Sequence, residues 1–251
     1  MAGVAGRIAL VTGAGRGIGR AVAELLAARG ARVMAVARSE DELRRLGLDY
    51  VVADLGTAAG CSHAVEETER RLGGVDIFVC NHGIGSAHEK VIWAQDPQTW
   101  EETLRVNLDG PFHLTRLITA GMVERRYGRI VYTASTAGEV AEHAGSAYTA
   151  SKHGLIGLAR AVAEDCGEFG VTSNAVLPGW VKTEMAERSA RAEAGRRGIG
   201  VDEVWAERAA LYRPGRVATP QEVAEMIAFL ATEECSGVSG QAIRVSLGAQ
   251  I

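Results

Sequence analysis

The sequence predicts one α/β domain, a doubly wound parallel sheet of about seven strands with helices on both faces. Short runs rich in valine, isoleucine, leucine and alanine recur along the 251 residues. These runs do not alternate with polar residues, which is typical of parallel strands buried on both faces. Helical patterns separate them, as crossovers between parallel strands require. No linker rich in proline or serine divides the chain, so residues 1–251 are expected to form a single domain.

The predicted elements follow one another in a regular order. Strand-like runs lie at 7–12, 31–37, 49–54, 75–80, 128–135 and 171–179. Helical patterns lie at about 18–29, 40–46 and 58–72, around Trp100, Leu104 and Leu108, and from the region of Tyr148 to about 168. The first helix is expected to stop at Gly30, because glycine readily adopts the left-handed conformation that ends helices. Ligands of such a sheet bind beyond the carboxyl ends of its strands, so the residues that follow the strand runs are the candidates for a site.

Composition and charge argue against several classes of protein. A net charge of −4 and an isoelectric point near 5.9 disfavour nucleic acid or an anionic membrane as an obligate partner. The first residues have the pattern of a strand rather than of a signal peptide, and no apolar run is long enough to cross a bilayer, so a cytoplasmic protein is expected. The four cysteines form no CxxC pair and the six histidines show no ligand-like spacing, so no metal site is predicted. The sequence also lacks the GxSxG and Walker motifs.

The first strand run leads into a glycine-rich turn, TGAGRGIG, at 12–19. Gly13, Gly17 and Gly19 have the spacing Gly-x-x-x-Gly-x-Gly, which differs from GxGxxG because Ile18 stands where the last glycine would be. Glycines between a strand and a helix let the backbone approach a pyrophosphate, whose charge the helix N-terminus favours. The alternative is a tight turn without a ligand, against which the three aligned glycines argue.

A second motif, SAYTASKHG, places Tyr148 and Lys152 four residues apart on one face of a predicted helix. One interpretation is an ordinary solvent-exposed helix face. The other is a tuned acid–base pair. The spacing alone does not decide between them, because a tyrosine and a lysine at this separation are common.

The motifs together point to one family. TGAGRGIG at 12–19, NHG at 81–83, Asn107, Ser135, YTASK at 148–152 and PG at 178–179 occur in order along the chain. The sequence resembles the short-chain dehydrogenases/reductases over essentially its whole length, which implies a Rossmann fold. NHG departs from the family's usual Asn-Ala-Gly. The layout, including GRV followed by TPQEVAEMIAFLAT, is similar to that of the 3-ketoacyl reductases and the aromatic polyketide ketoreductases.

The resemblance implies hydride transfer between a nicotinamide and a ketone or secondary alcohol. Tyr148 would give a proton to the developing alkoxide, or accept one in the reverse direction. Because a free tyrosine titrates near pH ~10, Lys152 is expected to favour the phenolate and to bind the nicotinamide ribose as well. Ser135 would hold the substrate oxygen, the alternative being a serine that only caps a turn. Asn107 would bend its helix and hold a water molecule of a proton relay.

The resemblance also implies a set of cofactor contacts, which follow the strand runs. Asp54 would contact the adenine amine, the alternative being a capping aspartate, and the PG loop would orient the carboxamide. The full predicted set is Thr12, Gly13, Gly15, Arg16, Gly17, Ile18, Gly19, Ala37, Arg38, Ser39, Asp54, Leu55, Asn81, Gly83, Tyr148, Lys152, Pro178, Gly179, Val181 and Thr183.

The end of the second strand run predicts which dinucleotide binds. Ala37 stands where NAD-linked enzymes of this architecture usually place an acidic residue. Arg38 offers a charged planar fork suited to a 2′-phosphate, and Arg16 could add a second charge. NADP(H) is therefore the preferred cofactor, whereas an Arg38 that only stacks on adenine would leave NAD(H) possible.

The sequence does not identify the substrate. The resemblance places a substrate lid at about 184–216, in which Trp205 and Tyr212 are expected to be packing residues. Arg126 occupies one carrier-docking position of the 3-ketoacyl reductases, whereas Phe169 occupies the other. Three classes remain: an NADPH-linked reductase of a 3-ketoacyl-type group, an NAD-linked dehydrogenase of a sugar, polyol or cyclic alcohol, and a non-catalytic dinucleotide-binding regulator. The intact catalytic set argues against the third.

The expected partners are a small carbonyl or alcohol substrate and further copies of the chain. The helix that carries Tyr148 is apolar on nearly all sides, which predicts burial on nearly all sides. The resemblance implies a homotetramer in which such helices pack across a two-fold axis, with 241–251 at another interface. His143 and His153 are expected to have no chemical role.

Overall fold

The structure, a computed structural model, describes residues 3–87 and 89–249. Its strands are β1 (Ile8–Thr12), β2 (Arg32–Ala37), β3 (Asp49–Val52), β4 (Ile77–Cys80), β5 (Gly128–Thr133), β6 (Val171–Pro178) and β7 (Ala242–Val245). They form one parallel sheet in the order β3-β2-β1-β4-β5-β6-β7. The predicted doubly wound sheet is confirmed, and β7 lies in the C-terminal segment, of which residues 250–251 are outside the described part.

Helices connect the strands on both faces of the sheet. They are α1 (Gly17–Ala28), α2 (Glu40–Arg44), α3 (Ala58–Leu72), α4 (Pro97–Leu104), α5 (Gly110–Arg125), α6 (Ser146–Cys166), α7 (Glu184–Arg197), α8 (Val201–Ala210) and α9 (Pro220–Leu230). The prediction for the end of the first helix is confirmed, since α1 gives way to Gly30 with a φ of +87°.

Two hydrophobic cores cover the two faces of the sheet. Leu10 and Phe78 belong to a core with residues of α3, α5 and α6. Val11 and Val79 belong to a second core with residues of α1 and α9. Neighbouring residues of one strand therefore enter different cores, which explains why the strand runs carry no alternating polar residues.

The strand order reverses beside β1, which has β2 on one side and β4 on the other. In an open α/β sheet, ligands bind in the crevice at this switch point, outside the carboxyl ends of the strands. The runs predicted at 49–54, 128–135 and 171–179 are longer than the strands, because their last residues leave the sheet to form the loops of this crevice.

The helical region around Asn107 is interrupted. Residues Arg105–Asp109 form a π-helical turn between α4 and α5. Such turns widen a helix locally and are frequent at functional sites. The irregularity expected at Asn107 is therefore a π-turn.

The range predicted for the lid folds into α7 and α8, between β6 and α9. Ala190, Ala194 and Val204 form a small core of their own there, so these two helices pack mainly on each other. Within the described part of the chain, no helix has the length and apolar character needed to cross a membrane.

Candidate active site

The glycine turn between β1 and α1 has the geometry of an anion cradle. Gly13 and Gly17 have φ values of +63° and +56°, a conformation that residues with a Cβ rarely adopt. A Cβ at Gly19 would lie 2.2 Å from the carbonyl oxygen of Gly13, so only glycine allows this close packing. The first turn of α1 has neither a side-chain cap nor an acidic residue, which leaves its N–H groups for an anion. The turn therefore fits the pyrophosphate of a dinucleotide.

The loops after β4 and β6 hold this turn in place. Asn81 donates from its backbone N–H to Thr12 Oγ1 at 2.9 Å and from Nδ2 to the Thr12 carbonyl at 3.2 Å. Thr183 caps α7 and its Cγ2 would lie 3.3 Å from a Cβ at Gly17. The structure thus brings together the predicted residues that follow β1, β4 and β6.

The residue that follows β2, Arg38, has a guanidinium that can bind a ligand. Arg38 is exposed, and among the described residues its side chain has no hydrogen-bond or ion-pair partner. The neighbouring Ser39 precedes α2 without making a side-chain cap. Arg16 differs from expectation, because its Nη1 lies 3.4 Å from carboxylate oxygens of both Glu42 and Glu184. Its charge is shared with two acids that the sequence analysis had not placed there.

Two predicted cofactor residues after β3 have structural contacts of their own. Asp54 is exposed, and its Oδ1 accepts a hydrogen bond from the N–H of Gly56 at 3.0 Å, a contact within the turn. The helix that follows is capped by Thr57, so Asp54 is not the capping residue named as the alternative. Leu55 is buried in the core, and only its backbone remains for a ligand.

Tyr212 of the lid holds the loop after β6 in place. A Cβ at Gly179, which follows Pro178, would lie 2.5 Å from the Tyr212 hydroxyl, and this hydroxyl accepts the Trp180 N–H at 2.6 Å. Val181 is buried and forms an isolated parallel bridge with Ala218. Tyr212 therefore packs within the structure, as expected.

The phenol of Tyr148 lies in the first turn of α6. Burial raises its pKa to about 12, hydrogen bonding to the Ser135 hydroxyl opposes the rise, and the carboxylates of Glu142 and Glu89 add to it. The expectation that Lys152 favours the phenolate is wrong for this structure. Desolvation and the charges of Glu142 and Glu89 set the rise, with no opposing contribution from Lys152, so the phenol is protonated at neutral pH.

Lys152 is buried, with only 5% of its surface exposed. Its Nζ donates to the Thr133 carbonyl at 3.0 Å and lies 5.5 Å from the centroid of the Tyr148 ring. Burial lowers the pKa of this amine to about 8. The ammonium is therefore directed to the end of β5, which explains why it has little influence on the phenol.

Ser135 and Asn107 complete the predicted catalytic set. Ser135 Oγ accepts the Ala137 N–H at 3.1 Å, so it caps a short 3₁₀ turn as well as meeting the phenol. Asn107 is 1% exposed. Its Oδ1 accepts the N–H of Ile84 at 2.8 Å and its Nδ2 donates to the carbonyl of the same residue at 2.9 Å. A Cβ at Gly83 would come within 3.1 Å of that Oδ1. All four side chains lie around the carboxyl ends of β4 and β5.

Three residues of the site were not predicted from the sequence: Glu89, Glu142 and Ser86. Ser86 Oγ donates to Glu142 Oε1 at 2.7 Å, and Glu89 accepts two backbone N–H groups of α6. No motif marks these residues. The one signal available was the glycine at the N-cap position of α6, Gly145, which has no side chain to cap the helix.

A phosphate cradle at the switch point and a tyrosine–lysine–serine cluster beside it define a class of protein, the α/β oxidoreductases that use a nicotinamide dinucleotide. The family model of the short chain dehydrogenases matches residues 7–194. The chain belongs to this family, and it is an oxidoreductase that acts on a ketone or secondary alcohol with NAD(P) as its cofactor.

Similar proteins cover nearly the whole chain. It is 36% identical over 245 residues to the D-beta-hydroxybutyrate dehydrogenase of Cupriavidus necator, with 94% of each chain covered. It is 34% identical over 250 residues to the 3-oxoacyl-(acyl-carrier-protein) reductase FabG of Escherichia coli (strain K12), with 97% of each covered. Among solved structures, a tryptophan variant of the actinorhodin polyketide ketoreductase with NADPH superposes with a TM-score of 0.90 at 33% identity over 98% of each chain.

Proposed function

We propose that this chain is an NADPH-linked reductase of a 3-ketoacyl-type carbonyl, with Tyr148 as the proton donor. The observation that carries the proposal is the protonated phenol of the half-buried Tyr148, beside the Ser135 hydroxyl and the Lys152 ammonium. A phenol with a raised pKa keeps its proton at neutral pH, so it is ready to protonate an alkoxide as that charge develops. This protonation state is the one that reduction of a carbonyl requires.

Each residue of the set then has one role. The bound nicotinamide supplies the hydride. Ser135 holds the carbonyl oxygen by a hydrogen bond, and Tyr148 donates its proton to the same oxygen. Lys152 binds the nicotinamide ribose. Asn107 anchors Ile84, and its π-turn holds the water of a relay that returns a proton to the lysine.

The cofactor preference rests on Ala37 and Arg38. Residues 37–39 at the end of β2 carry no carboxylate to repel a 2′-phosphate, and the Arg38 guanidinium is exposed and without a partner among the described residues. The solved structure of the actinorhodin ketoreductase variant is one with NADPH. A higher kcat/KM with NADPH than with NADH is the expected result, and the reverse preference would overturn this proposal.

A second candidate is an NAD-linked dehydrogenase, favoured by the 36% identity to a D-beta-hydroxybutyrate dehydrogenase. The two candidates differ in the charge that the substrate carries. Glu89 and Glu142 both place negative charge near the Tyr148 phenol, which disfavours a free keto acid. The guanidinium of Arg208 in the lid opposes the rise in the pKa of Glu142, but Arg208 already forms an ion pair with Glu193 at 2.9 Å.

A matched pair of substrates separates these candidates. Acetoacetate and its ethyl ester share the reacting ketone and differ by one negative charge. The proposal expects the ester, and 3-ketoacyl thioesters, to be reduced with the higher kcat/KM. Faster turnover of acetoacetate, or of a sugar or polyol with NAD, would instead place the chain among the dehydrogenases.

We further propose a cytoplasmic homotetramer. In one chain a face of α6 is exposed, at His153, Gly157, Arg160, Ala161 and Glu164, so the burial expected on nearly all sides of this helix requires a partner. Two of these residues, Gly157 and Ala161, are small and permit close helix packing across a two-fold axis. Light scattering should give four times the chain mass of 26.5 kDa, and a stable monomer at micromolar concentration would refute the assembly.

A further inference from the structure

The segment that follows β4 contacts several parts of the active site. Ile84 is held by Asn107 through two hydrogen bonds, and Ser86 donates to Glu142. A Cβ at Gly85 would lie 3.3 Å from Met185 Sδ, so the lid packs directly on this segment. The segment therefore connects the π-turn, the loop before α6 and the lid.

Glu89, also in this segment, contacts the N-terminus of α6. Only 8% of its surface is exposed. Its Oε2 accepts the N–H of Ala147 and its Oε1 accepts the N–H of Tyr148, both at 2.8 Å. These hydrogen bonds span 58 and 59 residues of sequence, so they are tertiary contacts rather than a local turn.

The two N–H groups are those that a local N-cap residue would normally satisfy. A serine or aspartate at the N-cap accepts from the second and third residues of a helix. In α6 these residues are Ala147 and Tyr148, and the N-cap position holds Gly145, which makes no side-chain cap. The first turn of α6 also has no acidic residue. Glu89 supplies both the missing acceptor and the negative charge that the helix N-terminus favours.

We propose that Glu89 is a positioning residue for the catalytic tyrosine: it caps α6 from the segment after β4, fixes the backbone of Tyr148, and sets the electrostatic surroundings of the phenol. This proposal rests on the assignment of Tyr148 as proton donor.

The charge of Glu89 has a consequence that a purely structural cap would not have. The groups that face the phenol are Glu89, Glu142, Ser135 and, one helical turn away, Lys152. Removing one carboxylate charge from this set lowers the pKa of the phenol, because the phenolate is no longer repelled by it. In the oxidation of the product alcohol, where Tyr148 must be deprotonated, the alkaline inflection of kcat/KM against pH reports this pKa. At any pH below the inflection, lowering this pKa by half a unit raises kcat/KM about threefold.

Three variants separate charge from geometry. Glu89→Gln keeps the size of the side chain and one acceptor but removes the charge. The inflection of kcat/KM against pH in this variant is expected to move to lower pH by about half a unit. Glu89→Asp keeps the charge but is too short to reach both N–H groups, so a several-fold lower kcat with an unshifted inflection is expected. Glu89→Ala should lower kcat at least tenfold while KM for the dinucleotide is unchanged.

The matched control is Glu101→Gln, which removes an exposed carboxylate from α4 and is expected to leave the pH profile and kcat unchanged. If Glu89→Gln has the inflection of the unmodified enzyme, or if Glu89→Ala lowers only the thermal midpoint and not kcat, Glu89 is a structural cap and the proposal is overturned. Tyr148→Phe separates a failure of the proposed mechanism from a failure of the proposed role of Glu89. Activity in that variant refutes the proposed mechanism, whereas an inactive Tyr148→Phe with an unshifted Glu89→Gln profile refutes the role of Glu89 alone.

Discussion

His82 should make the stability of this protein sensitive to mild acid. It stands in NHG where the family usually has alanine, and it lies beneath the glycine turn with Nδ1 2.8 Å from Thr12 Oγ1. Its Nε2 is buried without a hydrogen-bond partner among the described residues. Burial, with a smaller contribution from the charge of Lys152, lowers the pKa of the imidazole to about 3, and Asp54 opposes the change only weakly.

The size of the effect follows from the difference between folded and unfolded pKa values. In the unfolded chain the imidazole titrates near pH 6.5, so between pH 6.5 and 3 the unfolded state binds a proton that the folded state does not. The contribution of His82 to stability is therefore complete above pH 6.5 and is lost as the pH falls. Between pH 7 and pH 5 the loss amounts to about 2 kcal/mol, or roughly 4–8 °C in Tm for a chain of this size.

Urea denaturation at pH 7 and pH 5, at equal protein concentration, measures this effect. The unmodified protein and His82→Ala are compared, because groups common to both cancel in the difference between their pH dependences. Between pH 7 and pH 5, the free energy of unfolding of His82→Ala is expected to fall by about 2 kcal/mol less than that of the unmodified protein, whatever the stability of the variant at pH 7. His153→Ala, which removes an exposed histidine from α6, should follow the unmodified protein. Equal pH dependences for all three proteins would show that His82 does not stay neutral in the fold.

Three further changes have defined outcomes. Tyr148→Phe should lower kcat by about 10²–10⁴-fold, since it removes the general acid, while the Kd for NADPH stays nearly unchanged. Replacing Ala37 by Asp and Arg38 by Ser should lower the ratio of kcat/KM for NADPH to that for NADH by about ten- to a hundredfold, because a charged hydrogen-bond partner is lost and a repelling carboxylate is added. Ala144→Gly should raise the free energy of unfolding by about 1 kcal/mol, because Ala144 has a φ of +50° that strains a residue with a Cβ.

The first two of these predictions have an outcome that would refute them, and the third has a control variant. Near-normal kcat in Tyr148→Phe on a good substrate would exclude the phenol as the donor. An unchanged dinucleotide ratio in the Ala37–Arg38 double variant would mean that another cation selects the cofactor. Ala141→Gly, in the same loop as Ala144 but without a positive φ, should lose roughly 0.4–1 kcal/mol, because glycine only adds freedom to the unfolded chain.

The sheet and the motif residues were predictable because they depend on local pattern. Continuous apolar runs require burial on both faces, and this pattern predicts the six strands from β1 to β6. Because the carboxyl ends of parallel strands meet at one edge, the residues that follow these strands could be placed in one crevice. The turn of glycines at 12–19 was equally readable, since only glycine fits its backbone.

The electrostatics of the site were not predictable, and the expected effect of Lys152 shows why. Four residues of spacing put Lys152 and Tyr148 on one helix face, but the direction of the ammonium was decided by the Thr133 carbonyl of β5. The rise in the pKa of the phenol comes from burial and from Glu89 and Glu142, none of which a helical spacing reveals.

The sequence by itself thus determined the order of the elements, the edge of the sheet where ligands bind and the residue types that meet there, since these depend on periodicity and on backbone conformation. Only the tertiary structure decided which charges face the phenol. Glu89 reaches α6 across 58 residues of chain, and an interaction between side chain and backbone over that distance leaves no periodic trace in a sequence. Desolvation likewise depends on how completely the surrounding elements close over a group, which is a property of the packed molecule.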